Sequence, residues 1–544
     1  MLEMSLKNVL YVGLLGVAAF AAGCKKDKND SPSDEVLIES DASGLGSRVH
    51  TSEAGVIVID GSAGEQKKTT ADTSSNEYPL ELVASVSAPI NGGDTLRATH
   101  VEINGNYAYI SYNTEGAKYK GAIDVFNIST ASTPTLVSSV VFTGIDINAI
   151  AYLDNKLFFA GAKDPGSSSY PAVVGYIQLQ NGTPTSTVQT VHYTGYAGTG
   201  IIAADNKIYA TTGNIGGLFI VDPANLQQTN AINIGDARSV AANSSVYAVQ
   251  SGTGGVNIYN KSNNGYVKNI SLGNDVAEAK RTMDFNGNYL LIANGLGGIK
   301  YYDVNSGAKV GEITLPTSLP NVVNSNDIVT NAVTFNNKLI FAANGAAGTY
   351  VCIENSNDHS LNLVGSFGFG IGNSINYVKS KDNYLFVAAG RGGMKIIKIT
   401  PPSIAATCIG LPAYTGNTNM TISSNQQQQY GGSISLNSLT ISSNSSLFYC
   451  GTMAIANNSE VKSNSMFQMQ GSLAFGSSGK TFTVKSNATL KIQGNVTIYG
   501  NLDLNSNCTL EFVGTNNTIT VNGNVTKGSG VTIKGTYTDT NNKL

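Results

Sequence analysis

A single phrase of sequence, returning seven times, constrains this chain more than anything else in it. A tight turn leads into an apolar strand, then a glycine turn, then a second apolar strand. The clearest copies are Asn206-Lys-Ile-Tyr-Ala-Thr-Thr-Gly-Asn-Ile-Gly-Gly-Leu-Phe-Ile-Val-Asp222, Asn288-Tyr-Leu-Leu-Ile-Ala-Asn-Gly-Leu-Gly-Gly-Ile-Lys-Tyr-Tyr-Asp303 and Asn383-Tyr-Leu-Phe-Val-Ala-Ala-Gly-Arg-Gly-Gly-Met-Lys-Ile-Ile397. The second strand of each repeat starts at Tyr107, Leu157, Ile208, Val246, Tyr289, Leu339 and Tyr384. These starts recur every ~38 to ~51 residues, which is the length of four short strands with their loops and hence of one propeller blade.

The seventh copy stops after its third strand, and Pro401-Pro402 blocks a fourth. A segment resembling the missing outer strand, Pro79-Leu-Glu-Leu-Val-Ala-Ser-Val86, precedes the first copy. We expect it to pair with blade seven and close the ring, because an open ring would leave blade edges with unpaired backbone groups. The pairs Gly216-Gly217, Gly254-Gly255, Gly297-Gly298 and Gly392-Gly393 sit between two strands and open no helix. They read as hairpin turns rather than phosphate loops. The phrases Gly-Gly-Leu-Phe-Ile-Val-Asp222 and Gly121-Ala-Ile-Asp-Val-Phe-Asn-Ile-Ser-Thr-Ala-Ser-Thr-Pro-Thr-Leu136 resemble the LVIVD-repeat β-propeller family over residues 79 to 400. That resemblance implies a surface propeller and no particular chemistry.

Counting eight residues back from each strand start gives a ring of inner positions: Thr99, Ala149, Gly200, Arg238, Arg281, Asn331 and Asn376. Arg238, Arg281, Asn331 and Asn376 fall on consecutive blades and form the candidate ligand-binding set at the channel mouth. The arginines would offer bidentate donors to an anion, a glycan or a peptide end. Entering loops also carry Asp94, Asp146, Asp236, Asp275, Glu278 and Asp327. The competing reading makes the acids turn residues and pairs each arginine with a neighbouring aspartate.

The chain opens on an export signal. Val9 to Ala22 is apolar, Gly23-Cys24 ends the run, and Lys25-Lys26-Asp27-Lys28 follows. The run is too short for a membrane span. Ala22-Gly23-Cys24 resembles a bacterial lipoprotein box, and the charged run after it resembles the surface-export signal of Bacteroidota lipoproteins. The resemblance implies a signal peptide over 1–23, lipidation of Cys24, and a membrane anchor through acyl chains. The alternative is an ordinary secreted protein with an unused cysteine. Residues 24–76 are rich in Ser, Asp, Gly, Lys and Thr, with one apolar patch at Val56-Ile-Val-Ile59, and read as a flexible tether.

Beyond Pro401-Pro402 the composition shifts to Asn, Ser, Thr and Gly. Ser443-Asn444, Ser463-Asn464, Ser486-Asn487 and Ser506-Asn507 recur about every 20 residues, each followed by tiny strands, which suggests stacked coils. The expected fold is therefore all-β: a seven-bladed β-propeller over 77–400, then a β-solenoid over 403–544, with a small β-sandwich as the alternative for the second part. An asparagine ladder is expected along one solenoid corner. Cys352 reads as a buried thiol, and the sequence leaves Cys408 and Cys450 open between a bridge and two free thiols. Asp503, Glu511, Lys485 and Lys491 read as isolated residues on solvated faces, not as a lyase site.

Net charge of -3 gives no electrostatic footprint for nucleic acid. No Cys/His spacing suggests a metal, no nucleotide loop suggests a cofactor, and no Ser-His-Asp pattern stands out. The functional expectation is a non-catalytic, outer-membrane, surface-exposed lipoprotein that binds or scaffolds. Its partner would be an outer-membrane protein, which it would serve as an accessory subunit, or a surface glycan. The alternative is a glycan-binding or glycan-degrading propeller enzyme, which needs two convergent carboxylates.

Overall fold

The computed structural model describes residues 36–60, 77–401 apart from 117, 167, 253, 274, 275, 277, 278, 321, 323 and 371, and 408–544. The expected signal peptide over 1–23 and Cys24 lie outside the described residues. Seven antiparallel sheets form the propeller, and two parallel sheets form the solenoid. No helix among the described residues is long and apolar enough to cross a membrane.

Blades one to six are each a four-stranded meander in chain order, as in Gly200–Ala204, Lys207–Thr211, Gly217–Val221 and Gln228–Asn233 of blade three. The strands that follow the repeated turn begin within one residue of the positions read from sequence. The second and third strands are near-continuously apolar and buried on both faces, because each blade packs against two neighbours. Blade seven is completed as expected. Leu80–Val86 pairs antiparallel with Met394–Ile399, from Met394 opposite Val86 to Ile399 opposite Leu80.

The glycine turns serve close approach as well as turning. A Cβ on Gly217, Gly255, Gly298 or Gly393 would lie 2.3, 2.3, 2.1 or 1.9 Å from a carbonyl oxygen of the adjacent outer strand. The earlier glycine of the turn reaches the next blade. Gly213, Gly295, Gly345 and Gly390 form backbone bridges to Ala237, Thr330, Ile375 and Ala98.

The reading of 24–76 as a flexible tether fails for residues 36–60, which form a strap across three blades. Val36–Glu39 adds a fifth strand to blade one, and Val49–His50 and Gly55–Ile57 pair with the closing strand of blade seven. Asp60 exchanges backbone hydrogen bonds of 2.7 and 2.9 Å with Ser366 in blade six. Arg48 anchors the strap. Its Nη1 donates to Asp124 Oδ1 at 3.1 Å, its Nη2 to Asp124 Oδ2, and its Nε and Nη2 to Ser87 O at 3.1 and 2.9 Å. A sequence poor in apolar residues still orders here, because a strand added to an existing edge needs only backbone pairing and one good charge anchor.

The solenoid has six coils. One sheet stacks Asn419–Ile422, Ser438–Ile441, Ser459–Val461, Thr481–Val484, Asn501–Leu504 and Val525–Lys527, all parallel and in register. Inward Leu, Ile, Val, Met and Phe side chains form its core. Asn444, Asn464, Asn487 and Asn507 hold φ near +60°, a corner that asparagine tolerates. The side-chain ladder runs along a different column: Asn437 Nδ2 donates to Asn419 Oδ1, and Asn457 Nδ2 to Asn437 Oδ1, both at 2.6 Å. A glycine column, Gly432, Gly451, Gly471 and Gly494, bends the long strands of the other sheet. Cys408 and Cys450 are disulfide-bonded, with Cα atoms 5.4 Å apart, and tie the segment before the first coil to the second coil. The charged singles are not isolated. Lys491, Glu511 and Lys534 stack in register as an alternating column.

The strap also joins the two parts. Val56 N donates to Gly476 O at 2.9 Å, and Val56 packs with Ala454, Ala456 and Ala474. Glu81 of the closing strand, almost fully buried, accepts from Tyr499 of the solenoid at 2.7 Å and pairs with Lys398 at 2.8 Å.

Candidate functional site: the propeller channel

Every seam between blades is crossed by a hydrogen bond at one level of the channel. Thr99 Oγ1 donates to Ile147 O (2.9 Å), Asn148 Nδ2 to Gly198 O (2.9 Å), Thr199 Oγ1 to Ala237 O (2.7 Å) and Ser239 Oγ to Arg281 O (2.7 Å). Thr282 N donates to Asn331 O (2.8 Å), Asn331 Nδ2 to Ile375 O (3.2 Å) and Asn376 Nδ2 to Ala98 O (2.9 Å). The belt is closed. Side chains supply six of its seven links, because each inner strand turns an edge carbonyl toward its neighbour and a short polar side chain reaches it.

Three of the four candidate ligand residues, Arg238, Asn331 and Asn376, line the mouth, and Arg281 does not. Asn331 and Asn376 face the channel, but their amides are committed to the belt, and Asn331 Oδ1 also accepts from Lys280 N. Arg281 is fully buried, donating to Gly252 O and Asn294 Oδ1, both at 3.0 Å. It sits at φ 56°, which turns it away from the mouth. Arg238 does line the mouth and is paired with Asp236 at 2.8 Å. The alternative reading, in which arginine meets a neighbouring aspartate, describes Arg238.

The mouth is a cavity of about 560 Å³ with Arg97, Asn113, Asn148, Arg238, Asp327 and Asn376 in its wall. Its acids are Glu115 and Asp327, and Asp327 is exposed with no side-chain ion pair among the described residues. Glu115 pairs with Arg97, and Asp94, outside the mouth, pairs with Lys118 and Lys120, which hold its carboxyl down at about 2. Asp146 is buried and accepts from Thr114 N and Oγ1 at 3.0 Å. Burial outweighs those bonds and pushes it up to about 6. Asp275 and Glu278 lie outside the described residues. Among the described residues no group of three His, Cys, Asp or Glu side chains gathers to hold a metal.

Lys280 forms the floor of the mouth. It projects from the loop entering blade five, and its Nζ donates to Thr99 O at 2.7 Å and Asn148 O at 2.5 Å on the opposite blades. Beneath it lies a second cavity of about 260 Å³, which Lys280 also lines. One wall carries His100, Glu102, Asp284, Tyr377 and Lys379. His100 stacks on Tyr377 with ring centroids 3.9 Å apart, and Lys280 Nζ stands 5.3 Å from the Tyr377 ring centre. Burial pulls the Lys280 ammonium down to about 7, and burial with the two lysines keeps His100 neutral. Burial raises the carboxyls of Glu102 and Asp284, while Tyr377 and these two acids hold Lys379 charged.

None of these chamber residues stood out in sequence, where the four histidines look scattered. The available signal was a charged residue between apolar neighbours on an inner strand, Val101-Glu102-Ile103 and Met283-Asp284-Phe285, with Lys379 following the apolar Tyr377-Val378. The other histidines have local partners: His50 with Ser87, His192 with Tyr170 O and His359 with Glu354. Cys352 is buried as expected, its thiol pushed up to about 12 by burial.

No family model matches the chain, and no curated protein matches it. Solved structures do. The WD40 β-propeller domain of Doa1 aligns at 12% identity and TM-score 0.42, covering 59% of this chain and 97% of that one. U3-55K aligns at 11% and 0.43, covering 57% and 98%. The computationally designed Ika8 protein aligns at 12% and 0.37, covering 57% and 98%.

Proposed function

We propose that the chain is a surface-exposed lipoprotein of the outer membrane, anchored through Cys24, whose propeller binds a partner and performs no chemistry on it. The observation that supports the non-catalytic reading is that no pair of uncommitted carboxylates faces the mouth among the described residues: Asp146 is held by Thr114, Asp236 by Arg238 and Glu115 by Arg97, which leaves Asp327 alone. A glycosidase needs one carboxyl held as an acid and a second facing it across the scissile bond. Asp146 is the one raised carboxyl at the rim, and its hydrogen bonds tie it to its own blade neighbour. The anchor rests on Ala22-Gly23-Cys24 and the charged run behind it. The partner is an outer-membrane protein that this chain serves as an accessory subunit, with the mouth face and the solenoid flank as contact surfaces.

The test is a Cys24→Ser variant expressed beside the unaltered chain, with fractionation, protease shaving of intact cells, and affinity isolation from solubilised outer membranes. The reading expects the unaltered chain in the outer-membrane fraction, cut by external protease, and co-purifying with a stoichiometric membrane protein. It expects Cys24→Ser in the soluble fraction. Equal fractionation of the two chains would remove the anchor. Hydrolysis of an oligosaccharide that Asp146→Asn abolishes would remove the non-catalytic reading.

A further inference from the structure

The chamber beneath Lys280 is a built space, not a gap left by the ring. Blades two to four turn Ala149, Ala151, Gly200, Ala204, Ala241 and Ala242 toward it, so one half of the wall is small and largely apolar. Larger residues at these positions would have filled about 260 Å³ of channel. The facing half, from blades one, five and seven, carries every charge.

Those charges are ordered along the channel axis. Lys280 stands at the neck, shared by mouth and chamber. Glu102, Asp284 and Lys379 line only the chamber. There two carboxyl groups stand with one ammonium, below the lysine of the neck. His100 lies on the same wall, 7% exposed and stacked on Tyr377.

We propose that this chamber binds a small zwitterion of free α-amino-acid type, its carboxylate toward Lys280 and His100, its ammonium toward Glu102 and Asp284, and its side chain on the alanine wall. A simple anion would meet two carboxylates, and a simple cation two lysines. A molecule carrying both charges matches the order of the wall. The inference is independent of the lipid anchor and of any protein partner at the mouth.

The experiment is calorimetric titration and thermal melting of the full chain with alanine, valine and glutamate. N-acetylvaline and valinamide, which each lack one of the two charges, are run beside them, with glucose as a neutral solute. The proposal expects at least one free amino acid to bind with a 1:1 stoichiometry and to raise the melting temperature. It expects at least tenfold weaker binding of the acetylated and amidated forms. Glu102→Gln and Lys280→Met should each weaken binding at least tenfold. Because either may disturb folding, Ala204→Leu serves as the second variant: it fills the chamber from a partly exposed position, leaves every charge in place, and should abolish binding with the fold intact. Absence of heat and of any melting shift with all three amino acids overturns the proposal. So does equal binding of the blocked forms, a response to glucose alone, or unchanged binding in Ala204→Leu.

Discussion

Replacing Arg48 with methionine isolates the contribution of the strap. The guanidinium is the charge partner of Asp124, whose side chain is fully buried, while that of Arg48 is 17% exposed. Asp124 also accepts from Ser139 Oγ at 2.7 Å, a bond the substitution leaves alone. Removing one member of a buried ion pair strands the other charge and costs ~3–5 kcal/mol. The propeller spans roughly 325 residues, so at ~2.1 cal/mol/K per residue its unfolding entropy is ~0.7 kcal/mol/K, and the loss corresponds to ~4–7 °C in melting temperature. Calorimetry of the full chain measures it, and limited proteolysis should show faster cleavage within residues 36–60. Asp124→Asn combined with Arg48→Met should recover part of the loss, because no uncompensated charge remains. If Arg48→Met melts within ~1 °C of the unaltered chain, as an ordinary surface substitution would, the strap is not held by this pair and the reasoning fails.

Three further outcomes follow from the geometry. Asn376→Ala opens the belt between blades seven and one and should cost about 1–2 kcal/mol in denaturant titration, since Ala98 O loses its donor in a confined place. Gly471→Ala should destabilise the solenoid by at least ~2 kcal/mol: φ is 125°, and the new Cβ would lie 2.1 Å from Gly451 O, so a solenoid melting as before would refute the close-packed column. Asp146, raised to about 6 from an ordinary 3.8, binds its proton more tightly folded than unfolded. Its stabilising effect is therefore complete below about pH 4 and is lost as pH rises through about 6, an effect on the order of 2–3 kcal/mol, and Asp146→Asn should flatten that part of the stability profile while keeping the Thr114 bonds.

Architecture was legible because propellers and solenoids write their period into sequence. The strand starts at Tyr107 through Tyr384 needed only turn chemistry and apolar runs, and the ring closure by Leu80–Val86 followed from counting strands. The strap was not legible. Val36-Leu-Ile and Val56-Ile-Val-Ile are short and sit in tether-like composition, and an added edge strand draws its order from a partner distant in sequence. One member of the mouth set, Arg281, lies elsewhere for a related reason. Counting back eight residues landed on the belt level of the channel, where Asn331 and Asn376 are structural, and the αL turn at Arg281 that buries its side chain leaves no mark in a sequence. The glycine column at 432, 451, 471 and 494 was present as a spacing and was passed over for the Ser-Asn corners beside it.

The ordered strap changes what an anchor at Cys24 would mean for the cell surface. A leash running through the whole 24–76 stretch would let the body drift up to about 180 Å from the bilayer. With Val36 already fixed to blade one, only the dozen residues from Cys24 remain, and they reach no farther than about 40 Å in any conformation. If Cys24 carries the anchor, a propeller on so short a leash would ride close to the headgroups, within reach of the extracellular loops of an integral membrane neighbour.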